Sequence, residues 1–151
     1  MKNLNFPSYS FRIKNSENNT YIFDVIRKKF VVLQPEEWVR QNCIQFLINE
    51  KNFPVNLINV EKVVRINGLN KRYDIIAYNS DGSIFLIVEC KAPKVKISQS
   101  AFDQIARYNL TLKASYLMVT NGLNHYFCTI DHNLGIYNFL KELPSYVKKK
   151  I

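Results

Sequence analysis

The chain has 151 residues, 47% of them hydrophobic and 22% charged, which is enough for one domain with its own core. Its net charge of +9 favours a polyanionic partner such as nucleic acid. No apolar stretch approaches the roughly 20 residues that span a bilayer, and no secretory signal opens the chain, so we expect a cytoplasmic protein without a membrane partner.

The N-terminal third predicts a small β-structure followed by a helix. Residues 9–33 alternate apolar and polar side chains between polar turns, which is typical of a β-hairpin or a three-stranded meander. Pro35 suits the first turn of a helix, and Glu36 and Glu37 complement the positive end of its dipole. An apolar stripe continues this helix to about residue 50.

Three strands joined by short turns follow the first helix. They are predicted over 57–66, 71–79 and 84–91, and the turn residues between them include Asn67-Gly68. Because short turns can join only antiparallel neighbours, the three strands should form an antiparallel meander.

A second helix and a crossover strand complete the predicted core. The helix is expected over 98–113 with Ser98 as its N-cap, and an apolar strand follows at 115–120. A strand reached through a helix implies a parallel crossover, so the fold class is α/β, with a mixed central sheet flanked by helices and an N-terminal β-hairpin. The predicted single domain divides into an N-terminal β extension (1–33), a core (34–140) and a basic tail (141–151).

Acidic residues lie within two of the predicted buried strands. Asp74 has apolar neighbours, and Glu89 follows the apolar run 85–88 without a break. A buried strand rarely accepts an ionised side chain unless it is paired or binds a metal. Glu89 and Lys91 point to the same face, and a neighbouring strand would bring Asp74 beside them. Two carboxylates and an ammonium group on one face predict a magnesium-dependent site for phosphodiester cleavage.

Each motif also has a simpler explanation. An acid such as Asp74 can be paired with a neighbouring cation on an edge strand, and Glu36 or Glu37 can serve only the helix dipole. Gln104 and Tyr108 share one helical face at i and i+4, where such residues are common at the surface. In combination and in this order, however, the motifs favour a nuclease.

The combination resembles a known family. Asp74, Glu89-Cys90-Lys91 and the later Gln104 and Tyr108 resemble the PD-(D/E)xK nuclease superfamily with its trailing QxxxY motif. More closely, the chain resembles the N-terminal nuclease domain of type I restriction enzyme R subunits, and in particular the short stand-alone relatives of that domain. The resemblance runs from about residue 20 to residue 140 and implies a restriction-endonuclease-like core. It rests on the segments PEEWVRQ (35–41), VECKAP (88–93), QIARYN (104–109) and TNG (120–122).

The resemblance implies a metal site on the central sheet. Asp74 and Glu89 would bind Mg²⁺, for which Mn²⁺ would substitute, and the backbone carbonyl of Cys90 would be a third oxygen ligand. Lys91 would orient the attacking water or stabilise the phosphate in the transition state.

The resemblance also implies accessory residues around that metal. Glu37, or its neighbour Glu36, would reach the metal through water from the first helix. Gln104 and Tyr108 would position the lysine or the DNA backbone. Contacts with DNA phosphates are implied for Lys94, Lys96, Arg107 and Lys113.

The predicted function is a metal-dependent DNA endonuclease of restriction-enzyme type. The chain contains no Gly-rich phosphate loop, so ATP-driven translocation is not expected of it alone, and a separate motor or specificity subunit, or a homodimer, stays open. One alternative is a DNA-binding or regulatory subunit that keeps the fold and acts with a partner. Another is a soluble basic domain whose acids form ion pairs with Arg65, Lys71 or Arg72.

Overall fold

The computed structural model describes residues 1–148, apart from the side chains of Ile66 and Tyr108. An antiparallel three-stranded sheet comes first in the chain, in the order β1-β2-β3. It confirms the N-terminal meander that the alternation of residues 9–33 predicts. Its strands are β1 (Ile13–Asn15), β2 (Thr20–Asp24) and β3 (Lys29–Val32).

The second sheet has six strands in the order β4-β5-β6-β7-β8-β9. β6 and β7 are parallel, and the other neighbouring pairs are antiparallel, so the prediction of a mixed sheet with an antiparallel meander is confirmed. Asn67 and Gly68 join β4 to β5 with φ of 49° and 80°, the positive values that a type I′ hairpin turn requires. The strands are β4 (Ile58–Ile66), β5 (Leu69–Tyr78), β6 (Ile84–Cys90), β7 (Tyr116–Thr120), β8 (His125–Asp131) and β9 (Ile136–Leu140).

Two helices begin where their start signals predict. α1 (Pro35–Asn49) has proline in its first turn, and α2 (Gln99–Asn109) is capped by Ser98, whose Oγ accepts a hydrogen bond from Ala101 N at 3.1 Å. The α-helix ends before residue 113 because the chain tightens into a 3-10 turn at Leu110–Leu112. No helix in residues 1–148 combines the length and the apolar character needed to cross a bilayer.

The helices cover opposite faces of the six-stranded sheet. Val39, Cys43 and Leu47 of α1 are buried in a cluster with alternate residues of β5 and β6. Phe102 and Ala106 of α2 are buried in a second cluster with the intervening residues of the same strands. Burial on both faces explains why these strands are apolar at nearly every position and why an acid within them is conspicuous.

Part of the predicted basic tail packs against this core. Leu143 is buried beside α1, and the ring of Tyr146 lies 5.4 Å from that of Phe53. The backbone N–H of Tyr146 also donates to the carbonyl of Lys51 at 2.8 Å. Lys149 and Lys150 lie outside the described residues.

The N-terminal segment crosses the loop that follows β7. Asn5 N donates to Gly122 O at 2.7 Å, and a Cβ atom added at Gly122 would lie only 2.8 Å from Cδ2 of Leu4. Gly122 also has φ of +85°, a conformation that favours glycine. The close approach therefore depends on the absence of a side chain at this position.

Replacement of Gly122 by alanine should destabilise the fold by about 2–3 kcal/mol, from backbone strain and from the clash with Leu4 together. Gly135→Ala is the matched control, since Gly135 has φ of +67° but no atom near the added methyl group, and it should cost only about 1 kcal/mol. Urea denaturation of both variants measures the difference. Equal losses in the free energy of unfolding would show that a methyl group at position 122 does not clash with the N-terminal segment.

Candidate active site

The two acids of the central strands meet at one end of the β5–β6 ladder. Regular pairing of these strands ends at Ile75 and Val88, and Asp74 and Glu89 are the next residues along each strand. Oδ2 of Asp74 accepts a hydrogen bond from the backbone N–H of Cys90 at 2.7 Å. The Asp74 carboxylate thereby satisfies a backbone donor at the end of the ladder and lies beside Glu89.

Glu89 is strongly perturbed by this arrangement. Its side chain is only 12% exposed, and burial together with the Asp74 carboxylate raises its pKa from 4.5 to about 7, against the lowering effect of Lys71 and Lys91. Lys71 Nζ lies 3.8 Å from Glu89 Oε1, a distance that allows an ion pair but is too long for a hydrogen bond. Glu89 Oε1 is thus a buried acceptor without a hydrogen-bond partner among the described residues.

Lys91 faces the same carboxylates from the end of β6. Its backbone N–H donates to Thr120 O at 2.8 Å, which fixes the chain where β6 leaves the sheet beside β7. Its positive charge lowers the pKa of both Glu89 and Glu36. An ammonium group therefore accompanies the acids, as the spacing of Glu89 and Lys91 predicts.

The first turn of α1 contributes two acids with different surroundings. The side chain of Glu36 is exposed, and partial desolvation together with the Asp74 carboxylate raises its pKa, so Glu36 lies within electrostatic reach of the candidate site. Glu37 is buried instead between two arginines: it pairs with Arg27, and its Oε2 lies 2.6 Å from Nε of Arg40. The metal-directed role predicted for Glu37 stays a prediction, and Glu36 is the residue whose position suits it.

Arg40 connects this buried network to Asp74. Its Nη1 lies 3.4 Å from Glu61 Oε1 and 3.7 Å from Asp74 Oδ1, and it is a buried nitrogen without a hydrogen-bond partner in the described structure. Glu61, which contacts Arg40, has a φ of 53°. It lies opposite Asp74, and these two residues are left unpaired where the regular β4–β5 pairing is interrupted. The sequence motifs identify neither Arg40 nor Glu61 as a site residue. The i, i+4 spacing of Arg40 from Glu36 is the sequence signal that would have indicated Arg40.

A cleft of about 670 Å³ lies between α2 and the β4–β5 hairpin. Gln104 and Arg107 line it from the helix, and Lys71, which pairs with Glu89, lines it from the hairpin. Two predicted site residues therefore share a basic cleft with the ion-pair partner of Glu89. The side chain of Tyr108 lies outside the described residues, so its predicted role stays a prediction.

The three lysines predicted to contact phosphate lie in different places. Lys94 and Lys96 are exposed in the loop after Lys91, and Lys94 lines a second cleft, of about 460 Å³, together with Trp38. Lys113 precedes β7, where Ser115 N donates to Ile84 O at the far end of β6. It is therefore separated from Glu89 by most of the length of that strand, about 17 Å.

Comparison with known proteins gives one decisive match. Residues 35–144 match the family model of the type I restriction enzyme R protein N terminus (HSDR_N). This chain belongs to that family. A solved HsdR fragment, assigned to a type I restriction enzyme of Vibrio vulnificus YJ016, is similar at 19% identity with a TM-score of 0.45. The similarity covers 70% of this chain but 23% of that one, so the chain spans about a quarter of its length. No curated protein matches.

The donor set of this HSDR_N family member fits a hard divalent cation. Asp74 and Glu89 place two carboxylates together, and Oε1 of Glu89, which accepts no hydrogen bond from the described residues, is an oxygen that a cation would satisfy. No group of three or more His, Cys, Asp or Glu side chains in residues 1–148 is placed to hold a metal, so water would complete the coordination, as Mg²⁺ commonly allows. The Cys90 thiol is buried beside Cys43, and the ligand role of its carbonyl stays a prediction.

Glu89→Gln should stabilise the metal-free protein at neutral and alkaline pH. Because the folded state holds the Glu89 proton up to about pH 7 and the unfolded state releases it near 4.5, wild-type stability should fall as pH rises through this window. At pH above 7 the variant should therefore gain about 1–3 kcal/mol over wild type, and at acid pH the gain should vanish.

Chemical denaturation in EDTA at a series of pH values measures this difference. Glu17→Gln is the control, since Glu17 is exposed in the β1–β2 turn and its replacement should leave the pH profile unchanged. If Glu89→Gln raised the free energy of unfolding equally at all pH values, this would contradict the conclusion that the Glu89 carboxyl takes up a proton on folding.

Proposed function

We propose that this chain is a Mg²⁺-dependent DNA endonuclease of restriction-enzyme type, with a PD-(D/E)xK site on a restriction-endonuclease-like core. The observation that supports this most is the buried carboxyl of Glu89, which lies beside Asp74, accepts no hydrogen bond at Oε1 and is within electrostatic reach of Lys91. A fold has no evident structural need for this combination, because burial of two neighbouring acids opposes folding at neutral pH. The family and the net charge of +9 make DNA the substrate that we propose.

Asp74 and Glu89 would hold the cation. A bound divalent cation would supply Lewis-acid activation of a water molecule and neutralise charge on the phosphate; Mn²⁺ would substitute for Mg²⁺. The Cys90 N–H holds Oδ2 of Asp74, so the orientation of this carboxylate is fixed before any ion binds. The protein thus provides a preorganised pair of oxygen donors rather than a flexible one.

The remaining residues would act on the water and the phosphate. Lys91 would stabilise the developing charge on the phosphate or orient the attacking water, as a compact cation near enough to lower the pKa of Glu89. Glu36 would hold water at the edge of the site. Arg107, Gln104 and Tyr108, on one helix of the basic cleft, would position the DNA backbone or the lysine.

A second candidate function has its own supporting observation. Arg40 and Lys71 already lie within 4 Å of the two carboxylates, so protein cations compensate their charge without a metal. The chain would then be a DNA-binding or regulatory subunit that acts with a separate motor or specificity subunit, or as a homodimer. Cytoplasmic location belongs to both proposals.

Asp74→Ala and Lys91→Ala should each lower metal-dependent DNA cleavage by about 100-fold or more, because a positioned charge at the reaction centre is lost. DNA binding should change little, since dispersed cations dominate affinity for phosphates. Plasmid nicking and gel-shift assays on the same preparations, with Mg²⁺, Mn²⁺ or EDTA, separate the two effects.

Lys141→Ala is the control for these variants, because Lys141 is exposed just after β9, three strands away from β6. Cleavage by Asp74→Ala at the wild-type rate would place the activity elsewhere or reveal a contaminant. Wild-type protein that binds DNA but never cleaves it with either ion would favour the regulatory subunit.

A further inference from the structure

The β4–β5 hairpin extends beyond the pairing with β6 as a two-stranded ribbon, one side of which lies against α2. Its own pairing continues as far as Ile66 and Leu69, whereas the pairing of β5 with β6 ends at Ile75 and Val88. Residues 62–72, which we name the ribbon, therefore have a strand partner only within the hairpin. At about 3.3 Å per residue, five residues on each strand carry its tip about 17 Å past the carboxylate pair.

The ribbon carries positive charge without any acid. It contains four cations in eleven positions, namely Lys62, Arg65, Lys71 and Arg72. None of the ion pairs between described residues involves Lys62, Arg65 or Arg72. The two apolar side chains Val63 and Leu69 are also exposed, at 48% and 74%. Three of the four ribbon cations therefore have no ion-pair partner among the described residues, and the fourth, Lys71, pairs with Glu89.

The two ribbon arginines share one face. Val63 pairs with Arg72, and Arg65 pairs with Asn70, so these four residues project from the same side of the ribbon. All four are exposed. The opposite side turns toward α2, where Lys71 lines the cleft with Arg107. Both sides of the ribbon thus present guanidinium or ammonium groups.

The base of the ribbon adjoins the candidate active site. Lys71 lies 3.8 Å from Glu89 at its inner side, and Asp74 follows Arg72 after one residue on the same strand. A polyanion held by the ribbon would consequently lie beside the two carboxylates, and the ribbon would offset their repulsion of phosphate.

We propose that the ribbon is a DNA-binding arm that enters a groove of duplex DNA next to the candidate site; the assignment of DNA rests on the proposed function. The major groove is about 12 Å wide and admits a two-stranded β-ribbon, and the exposed side of the ribbon carries both arginines. Arg65 and Arg72 would contact phosphates along the groove wall, which gives affinity without sequence reading. The occupant is duplex rather than single-stranded DNA, because a two-stranded ribbon has the width that a duplex groove admits.

The test is DNA binding by the full chain in EDTA, where cleavage cannot occur. Arg65→Gln/Arg72→Gln is compared with Lys141→Gln/Lys148→Gln, which removes the same charge from exposed positions outside the ribbon. The ribbon variant should bind a labelled duplex at least about tenfold more weakly at about 0.15 M salt, and its slope of log K against log salt should be smaller by about 2. The control variant should lose less than about threefold under the same salt conditions.

A third variant separates charge from folding. Arg65→Lys/Arg72→Lys keeps both charges and should restore the salt slope, and thermal melting should show wild-type stability for all variants, because both arginines are exposed. Wild-type protein should also bind duplex more tightly than a single strand, and the ribbon variant should lose this preference.

Equal weakening in the ribbon and control variants would overturn the arm and leave the proposed nuclease intact. Equal affinity of wild type for duplex and single strand would overturn the groove assignment. Loss of binding in the ribbon variant, combined with a wild-type protein that no divalent ion activates, would instead support the arm and refute the nuclease. Absence of DNA binding by wild type would refute both.

Discussion

The pairing of Asp74 with Glu89 at the end of one strand ladder is the constraint on which the rest of the structure depends. Two neighbouring carboxylates that are largely buried cannot both ionise unless nearby positive charge compensates them. The raised pKa of Glu89 is the direct consequence. The hydrogen bond from Cys90 N–H removes any freedom of Asp74 to turn away. The surrounding protein cations and the metal that we propose are two ways to compensate the negative charge of these carboxylates.

The protein cations reach the acids from separate parts of the chain. Arg40 belongs to α1 and forms an ion pair with Glu37. Glu37 also pairs with Arg27, which lies in the turn that joins β2 to β3. Arg27 also donates a hydrogen bond to Asp24. Burial raises the pKa of Asp24, but the hydrogen bonds from Arg27 lower it below its usual value. The N-terminal sheet is therefore connected through buried ion pairs to the candidate site, and it is more than an appended extension. Removal of one partner would leave the others buried and unpaired, which is costly.

Local signals were sufficient to predict the elements but not every neighbour in the site. The Asn67-Gly68 turn, the Ser98 cap and the apolar runs identify the meander and both helices, because each depends on residues adjacent in sequence. Glu36 and Glu37 are indistinguishable by sequence, since both complement the helix dipole, and only their rotation about α1 separates them. Lys113 lies farther from Glu89 than its proximity in sequence suggests, because α2 returns the chain to the far end of β6 before the parallel strand begins. Its predicted contact with phosphate stays a prediction. The skipped pair at Glu61 and Asp74 has no sequence signature at all.

The central claim is that Asp74 and Glu89 hold one cation between them. A crystal structure of the protein soaked with Mn²⁺, with anomalous scattering recorded at the manganese edge, tests this most directly. The account predicts one anomalous peak that bridges the two carboxylates, accompanied by movement of Lys71 away from Glu89. A structure without a peak at that position, in which the ion pair of Lys71 with Glu89 persists, would contradict it.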